Sequence, residues 1–135
     1  MACLLRVRGI LFDPGAFLKG AAVSPATIWQ RGQPRLSTRE DRKVHSDSGF
    51  TLEISNADGY ALSTQVQDAT AFLERNSQEL NRLKEFPGLE DIVIDFCVFR
   101  KRGIVAATYS LGSELITVAG KLGIQIDVSE YEVDE

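Results

Sequence analysis

The chain has 135 residues, of which 44% are hydrophobic and 25% charged, and its net charge is −4. This length favours one soluble domain with a core that needs neither metals nor disulfides, and no apolar run approaches the roughly 20 residues of a membrane span, which argues against a membrane protein. The charge is uneven, because residues 1–44 hold eight Lys or Arg against three Asp or Glu, whereas residues 45–135 hold seven against sixteen.

The amino-terminal segment predicts a strand followed by a short helix. Residues 4–10 alternate imperfectly between apolar and polar side chains, as in a strand with one partly wet face. Arg6 and Arg8 interrupt the apolar stretch too early for a secretory signal. Asp13 is then the expected N-cap of a helix with Pro14 at its first position.

The region that follows is rich in turn formers and polar residues. Because Trp29 is a large apolar residue among turn formers, we expect it to fill the core beneath a loop. Residues 33–48 are almost wholly polar, and they predict a mobile loop that projects from an edge of the sheet.

The middle of the chain predicts a strand, a helix and a second strand. Residues 50–54 alternate with their apolar side chains inward. Apolar residues recur every three or four positions over residues 63–85, which indicates one long amphipathic helix. Residues 91–99 are largely apolar on both faces, with Asp95 as the exception within the run, which favours a central strand.

The last third predicts a hairpin, a helix and a final strand. Residues 100–103 form a basic turn whose glycine permits a positive φ, and residues 104–109 form the returning strand. Ser113 is the expected N-cap of a helix that Gly123 ends, and residues 124–128 alternate as a strand.

In chain order these elements predict an α+β fold over residues 1–135, a single domain. The pattern is that of a ferredoxin-like β-α-β-β-α-β core preceded by an extra β-α unit. We expect about five largely antiparallel strands, with the helices on one face of the sheet. Folds of this class host many unrelated functions, so the fold does not define an activity.

Few residues suggest nucleophilic or metal chemistry. His45, Ser46 and Asp47 include the residue types of a catalytic triad, but the side chains of consecutive residues diverge, which favours a solvated loop. The only cysteines, Cys3 and Cys97, lie far apart, as expected of reduced thiols in a cytoplasmic protein. With one histidine in the chain, we expect no metal and no cofactor.

A pair of carboxylates is the remaining catalytic candidate. Asp95 and Asp127 lie on predicted strands, and they could act as an acid and a base if those strands were neighbours. Carboxylates on strands are more often solvated or paired with Lys or Arg, so we expect a protein that is not an enzyme.

Two charged surfaces could bind partners. Trp29 and Arg31 begin a basic stretch that could contact phosphates, although the net negative charge and the single tryptophan argue against nucleic-acid binding. Near the carboxyl end, Asp127, Glu130 and Glu132 belong to an acidic stretch that could meet a basic protein surface. Acidic tails are more often merely solubilising.

Several short motifs occur in a shared order along nearly the whole chain. They are Gly9-Ile10-Leu11-Phe12-Asp13-Pro14, then Ser24-Pro25-Ala26-Thr27-Ile28-Trp29-Gln30-Arg31-Gly32, Ser48-Gly49-Phe50, Leu111-Gly112-Ser113-Glu114-Leu115 and Leu122-Gly123-Ile124-Gln125-Ile126-Asp127. In these motifs the chain resembles the bacterial domain-of-unknown-function family DUF4279. It departs from that family at Phe50, where tryptophan is frequent, and Gly15 lowers the helix propensity of the first helix. The resemblance implies an architecture and a bacterial source, but no activity.

These observations favour a non-enzymatic module that binds a protein partner. One such role is that of an immunity protein, which neutralises a toxin by surface complementarity. An alternative is a dimeric small-molecule sensor with Trp29 lining its pocket, and an enzyme that uses a carboxylate pair ranks third.

Overall fold

A computed structural model describes residues 3–35 and 43–134, and within them the chain forms an α+β fold of five strands and four helices. The strands are β1 (Cys3–Gly9), β2 (Thr27–Trp29), β3 (Ser48–Ser55), β4 (Asp91–Lys101) and β5 (Gln125–Val133). The helices are α1 (Pro14–Lys19), α2 (Leu62–Arg75), α3 (Ser77–Lys84) and α4 (Ser113–Leu122). The predicted fold class is confirmed. None of the four helices has the length and apolar character needed to cross a membrane.

The five strands form one mixed sheet in the order β2-β3-β1-β4-β5. The pairs β1–β3, β1–β4 and β2–β3 are antiparallel, and β4–β5 is parallel. Strands β3 and β4 therefore run in the same direction on either side of β1, with α2 and α3 as the crossover between them. This is a split β-α-β unit of the kind found in ferredoxin-like domains. The wider ferredoxin-like assignment stays a prediction.

One face of the sheet and all four helices enclose the core. Strand β1 supplies Leu5 and Val7, and the ring of Phe17 on α1 stacks on that of Phe50 on β3 with 5.9 Å between centroids. The start of α1 is as expected, because the Asp13 carboxylate accepts a hydrogen bond of 3.2 Å from the backbone N–H of Ala16. Residues from α2, α3 and α4 complete the same cluster: Ala69, Leu73, Leu80, Leu83, Leu115, Ala119 and Leu122.

The prediction of one long helix over residues 63–85 is wrong, since α2 and α3 are separate helices that meet at Asn76. The backbone of Asn76 leaves the helical region, with φ −111° and ψ 22°. Its side-chain amide donates a 2.9 Å hydrogen bond to the carbonyl oxygen of Phe72. Asparagine competes in this way with backbone hydrogen bonding, which explains the break. At the next helix, the N-cap is Gly112 rather than Ser113.

The prediction of a returning strand over residues 104–109 is also wrong, because both sides of β4 are already occupied at the end that a hairpin would use. Strand β5 pairs with β4 as far as Lys101. On the other side, the Gln65 side chain bonds the backbone of Cys97, and the Gly59 carbonyl accepts from the N–H of Phe99. Residues 104–109 therefore have no place beside β4 and adopt neither helix nor strand.

Candidate binding surface

The side of the sheet away from the helices carries a layer of charged side chains, which we call the open face. Because side chains alternate along a strand, the inward Leu5 and Val7 require Arg6 and Arg8 to point the other way. The register of the neighbouring strands extends this layer across the sheet. We define the open face by Arg6, Arg8, Trp29, Asp47, Asp91, Asp95, Asp127 and Ser129.

Arg6 holds the two carboxylates that the sequence singled out. Asp95 and Asp127 are partners in the β4–β5 register, so their side chains lie next to each other. The Arg6 guanidinium lies 3.5 Å from Asp95 and 3.7 Å from Asp127, and the Ser129 hydroxyl donates to Asp95 at 2.7 Å. The neighbouring strands required for an acid–base pair are thus present. However, an arginine bridges the two carboxylates, which is the usual structural arrangement for such groups.

Arg8 is the centre of a second ion-pair cluster. Its guanidinium lies 2.5 Å from Asp47 and 3.7 Å from Glu90, and it also donates to Asp91. The hydrogen bond to Asp47 raises the pKa of Arg8 above its ordinary value. Burial alone would raise the pKa of Asp47, but the hydrogen bonds from Arg8 and Trp29 outweigh it and hold that pKa below 3.8. Both groups are therefore fixed in their charged forms.

Trp29 lies on the open face and not in the core, so the expectation that it fills the core is wrong. Its partner in the register is Gly49, and a Cβ at position 49 would lie 2.6 Å from the indole ring. The missing side chain of Gly49 leaves room for the ring against the backbone. The indole Nε1–H then donates a 2.8 Å hydrogen bond to Asp47, which links Trp29 to the Arg8 cluster.

Beside Trp29 is a recess of about 460 Å³, which we call the Trp29 recess. The start of the predicted polar loop, with the preceding Gly32, pairs as a ribbon with a later part of the same loop to form it. The backbone N–H of Gly32 donates to the carbonyl oxygen of His45, and the N–H of His45 donates to that of Gln33, both at 2.9 Å. The His45 ring stacks near Trp29 with 6.0 Å between centroids. The predicted mobility of residues 33–48 remains a prediction, and residues 36–42 lie outside the described part of the chain. The lining residues are Trp29, Arg35, Val44, His45, Ser46 and Asp47.

The predicted partner-binding residues do not form one surface. Trp29 and Arg31 lie at the β2 edge, where the Arg31 N–H donates to the Ser48 hydroxyl at 2.8 Å, and three strands separate this edge from β5. On β5, Asp127 points to the open face, whereas Glu130 and Glu132 alternate to the opposite side.

The acidic carboxyl end is neutralised by arginines of its own chain. Glu130 accepts from Arg100 at 3.0 Å and from the Tyr109 hydroxyl, and these hydrogen bonds, that from Tyr109 first, lower its pKa. Glu132 lies 3.8 Å from Arg100, and Asp134 lies 3.6 Å from Arg102. Glu135 lies outside the described residues. This end of the chain thus presents less unpaired negative charge than its sequence indicates.

Two functional features were missed at the level of sequence. Arg6 and Arg8 received no role, although the alternation of β1 already placed them on one face. The fully buried Gln65 was also overlooked, although it lies four positions before Ala69 and eight before Leu73, and so falls on the apolar stripe of α2.

Comparison with known proteins identifies a family and no individual relative. A family model described as "Domain of unknown function (DUF4279)" matches residues 1–133. No curated protein matches the chain significantly. The same is true of the solved structures.

Proposed function

The chain belongs to the DUF4279 family, and we propose that it is a non-enzymatic binding module that holds a protein partner against the open face. The observation that carries this proposal is that every described helix packs on one side of the sheet, while the other side exposes charged groups from β1, β4 and β5. A sheet face that no described helix covers is a broad, rigid platform for a partner.

Fixed charges support a binding role because they lower the cost of ordering side chains on association. Arg6 is held by Asp95 and Asp127, and Arg8 by three carboxylates from two places in the sequence. Their side chains are already ordered before a partner arrives. Complementary fixed charges give specificity and fast association more than raw affinity.

The excess of carboxylates indicates a basic partner. Three arginines, Arg6, Arg8 and Arg35 of the Trp29 recess, face a larger number of acidic groups on or beside the open face. These six acidic groups are Asp47, Glu53, Glu90, Asp91, Asp95 and Asp127. A partner that presents Lys or Arg to this layer would compete with Arg6 and Arg8 for the same carboxylates.

A toxin-neutralising immunity protein is the specific role that we propose for this module. Such a protein needs only a surface complementary to its toxin, and an acidic platform suits toxins with basic active surfaces. We propose the cytoplasm as the place of action, which the free thiols of Cys3 and Cys97 support.

The test compares charge reversals on the open face with a charge reversal on the helical side of the sheet. A candidate toxin encoded beside the gene is purified, and its association with the wild-type chain is measured at low and high salt. We expect Asp127→Lys and Asp91→Lys to slow association several-fold, and added salt to slow that of the wild type. The control Glu74→Lys makes the same charge change at an exposed position of α2, and it should associate as fast as the wild type. Equal rates for all variants would remove the open face from the proposal.

Growth supplies a second readout for the immunity role. Co-expression of the wild-type chain or of Glu74→Lys should protect cells from the toxin, and Asp127→Lys should protect less. If the wild-type chain binds the toxin but gives no protection, the binding role stands and the immunity role is wrong.

A small-molecule sensor is the second candidate, and the Trp29 recess favours it. Because Trp29 is the only tryptophan, intrinsic fluorescence excited at the indole reports directly on the occupancy of this recess. Titration with amino acids and nucleotides should change the fluorescence and raise the melting temperature together. A ligand that raises the melting temperature equally in wild type and in Trp29→Phe binds elsewhere, and a flat response to every ligand would remove this candidate.

A further inference from the structure

We propose that the chain forms a two-fold dimer in which residues 104–109 of each copy pair as a strand with the free edge of β5 in the other copy. The proposal concerns a different surface from the open face, and it does not depend on the protein-binding role. It follows from a mismatch between the sequence of this segment and its environment in one copy.

The segment has the composition of a strand but no strand partner. Residues 104–109 read Ile-Val-Ala-Ala-Thr-Tyr, with three β-branched residues and one aromatic. Val105 is 100% exposed and Ile104 is 45% exposed. Within the described residues, residues 105–109 make no backbone hydrogen bond to the rest of the chain. Local sequence and native structure normally agree, so this conflict indicates a partner outside the single copy.

Strand β5 offers the matching half of an interface. It lies at the end of the sheet and pairs only with β4 among the strands of the described chain. Its second backbone edge is therefore available for pairing, and Val128 and Tyr131 on this strand are 40% and 54% exposed. An open edge with exposed apolar residues readily accepts a further strand.

Charge complementarity indicates a second copy as the occupant and an antiparallel orientation. The segment is preceded by Lys101 and Arg102, and β5 leads into Glu132 and Asp134. Within one copy Arg102 lies 3.6 Å from Asp134, but both side chains are largely exposed, so this ion pair is weak and can be exchanged for the same pair between two copies. An antiparallel pairing places the basic start of the segment beside the acidic end of β5 in the other copy. The two-fold axis repeats the contact, so each copy contributes one strand and one edge, and the assembly closes as a dimer.

The first test measures self-association by sedimentation equilibrium from micromolar to millimolar protein. We expect the wild-type chain to dimerise with increasing concentration. Val105→Lys should weaken the dimer roughly tenfold or more, since a charge on an edge-pairing strand opposes pairing. Because Val105 is fully exposed, this variant should keep the fold, which far-UV circular dichroism checks. The control Ile116→Lys changes another exposed aliphatic residue, on α4, and should dimerise like the wild type.

The second test mixes two charge variants. Arg102→Glu and Asp134→Lys should each dimerise roughly tenfold more weakly than the wild type, because each repeats a like-charge contact across the two-fold axis. An equimolar mixture should recover dimer, since the heterodimer restores both opposite-charge contacts. A merely structural effect of either substitution would not be reversed by mixing.

Three results would overturn the proposal. They are a wild-type chain that stays monomeric at millimolar concentration, a Val105→Lys variant that dimerises as strongly as the wild type, and charge variants that do not recover dimer when mixed.

Discussion

Replacing Gln65 by leucine is predicted to destabilise the protein by about 3 kcal/mol. Gln65 is fully buried on α2. Strand β1 begins opposite Phe96 of β4, so Cys97 has no partner on β1, and the Gln65 carboxamide makes the hydrogen bonds that a neighbouring strand would make there. Its Nε2 donates to the carbonyl oxygens of Cys97 and Asp58, both at 2.8 Å, and its Oε1 accepts from the N–H of Cys97 at 3.2 Å. The side chain therefore satisfies both backbone groups of Cys97.

The magnitude follows from the groups that would lose their partners. The Asp58 carbonyl keeps a second bond from the N–H of Ala61, so Gln65→Leu leaves the N–H and the carbonyl of Cys97 unpaired. Each buried unpaired group costs about 1–3 kcal/mol, or roughly 2–6 kcal/mol for the two. The greater apolar surface of leucine offsets roughly 1 kcal/mol of this.

Urea unfolding followed by circular dichroism measures the effect. The midpoint should fall with an unchanged slope, because the amount of surface exposed on unfolding is the same. The matched control is Gln67→Leu at an exposed position on the same helix, with an expected change within about 0.5 kcal/mol. Equal unfolding free energies for the two variants would refute the role given to Gln65.

Three further predictions concern the open face and the thiols. Asp47→Asn should lower the free energy of unfolding by about 1 kcal/mol at neutral pH. Because the folded pKa of Asp47 lies below its ordinary 3.8, the stability that the carboxylate contributes is complete above pH 3.8 and is lost as the pH falls below it. In urea unfolding the wild type and the variant should therefore become equally stable in acid, and a difference that stays constant with pH would contradict this. Gly49→Ala should lower the free energy of unfolding by about 2–3 kcal/mol, because the added Cβ would lie 2.0 Å from the Val7 carbonyl oxygen. An unchanged melting temperature would be inconsistent with the close packing of β1 and β3. Burial raises the pKa of Cys3 to about 12, so little of its thiol is in the reactive thiolate form. Alkylation of the native protein followed by mass spectrometry should therefore show Cys97 labelled before Cys3. Labelling of Cys3 first would count against its burial.

The sequence predicted elements well where one local rule acts alone. The alternation of β1, the Asp13 cap and the left-handed Gly123 at φ 69° all agree with the structure. Each depends on the few residues around it. In contrast, the strand expected over residues 104–109 failed because the space beside β4 is taken by Gln65 and Gly59, from distant parts of the chain.

The candidate surface was predictable only in part. The pairing of Asp95 with Asp127 required the β4–β5 register, and the position of Trp29 required the empty space at Gly49. Neither relation is local in sequence. The acidic end illustrates the same point, because its charges are clear in the sequence, whereas their neutralisation by Arg100 and Arg102 depends on how β4 and β5 align.

Hydroxyl-radical footprinting of the complex with its purified partner tests the central claim most directly. Leu4 is two positions before Arg6 on β1, so its side chain lies on the same side of the sheet as the open face. The account predicts that binding protects Leu4 and Trp29 and leaves Ile116 on α4 as reactive as in the free protein. Protection of Ile116 with unchanged reactivity at Leu4 and Trp29 would show that the partner binds the helices, and would contradict the claim that the open face is the binding surface.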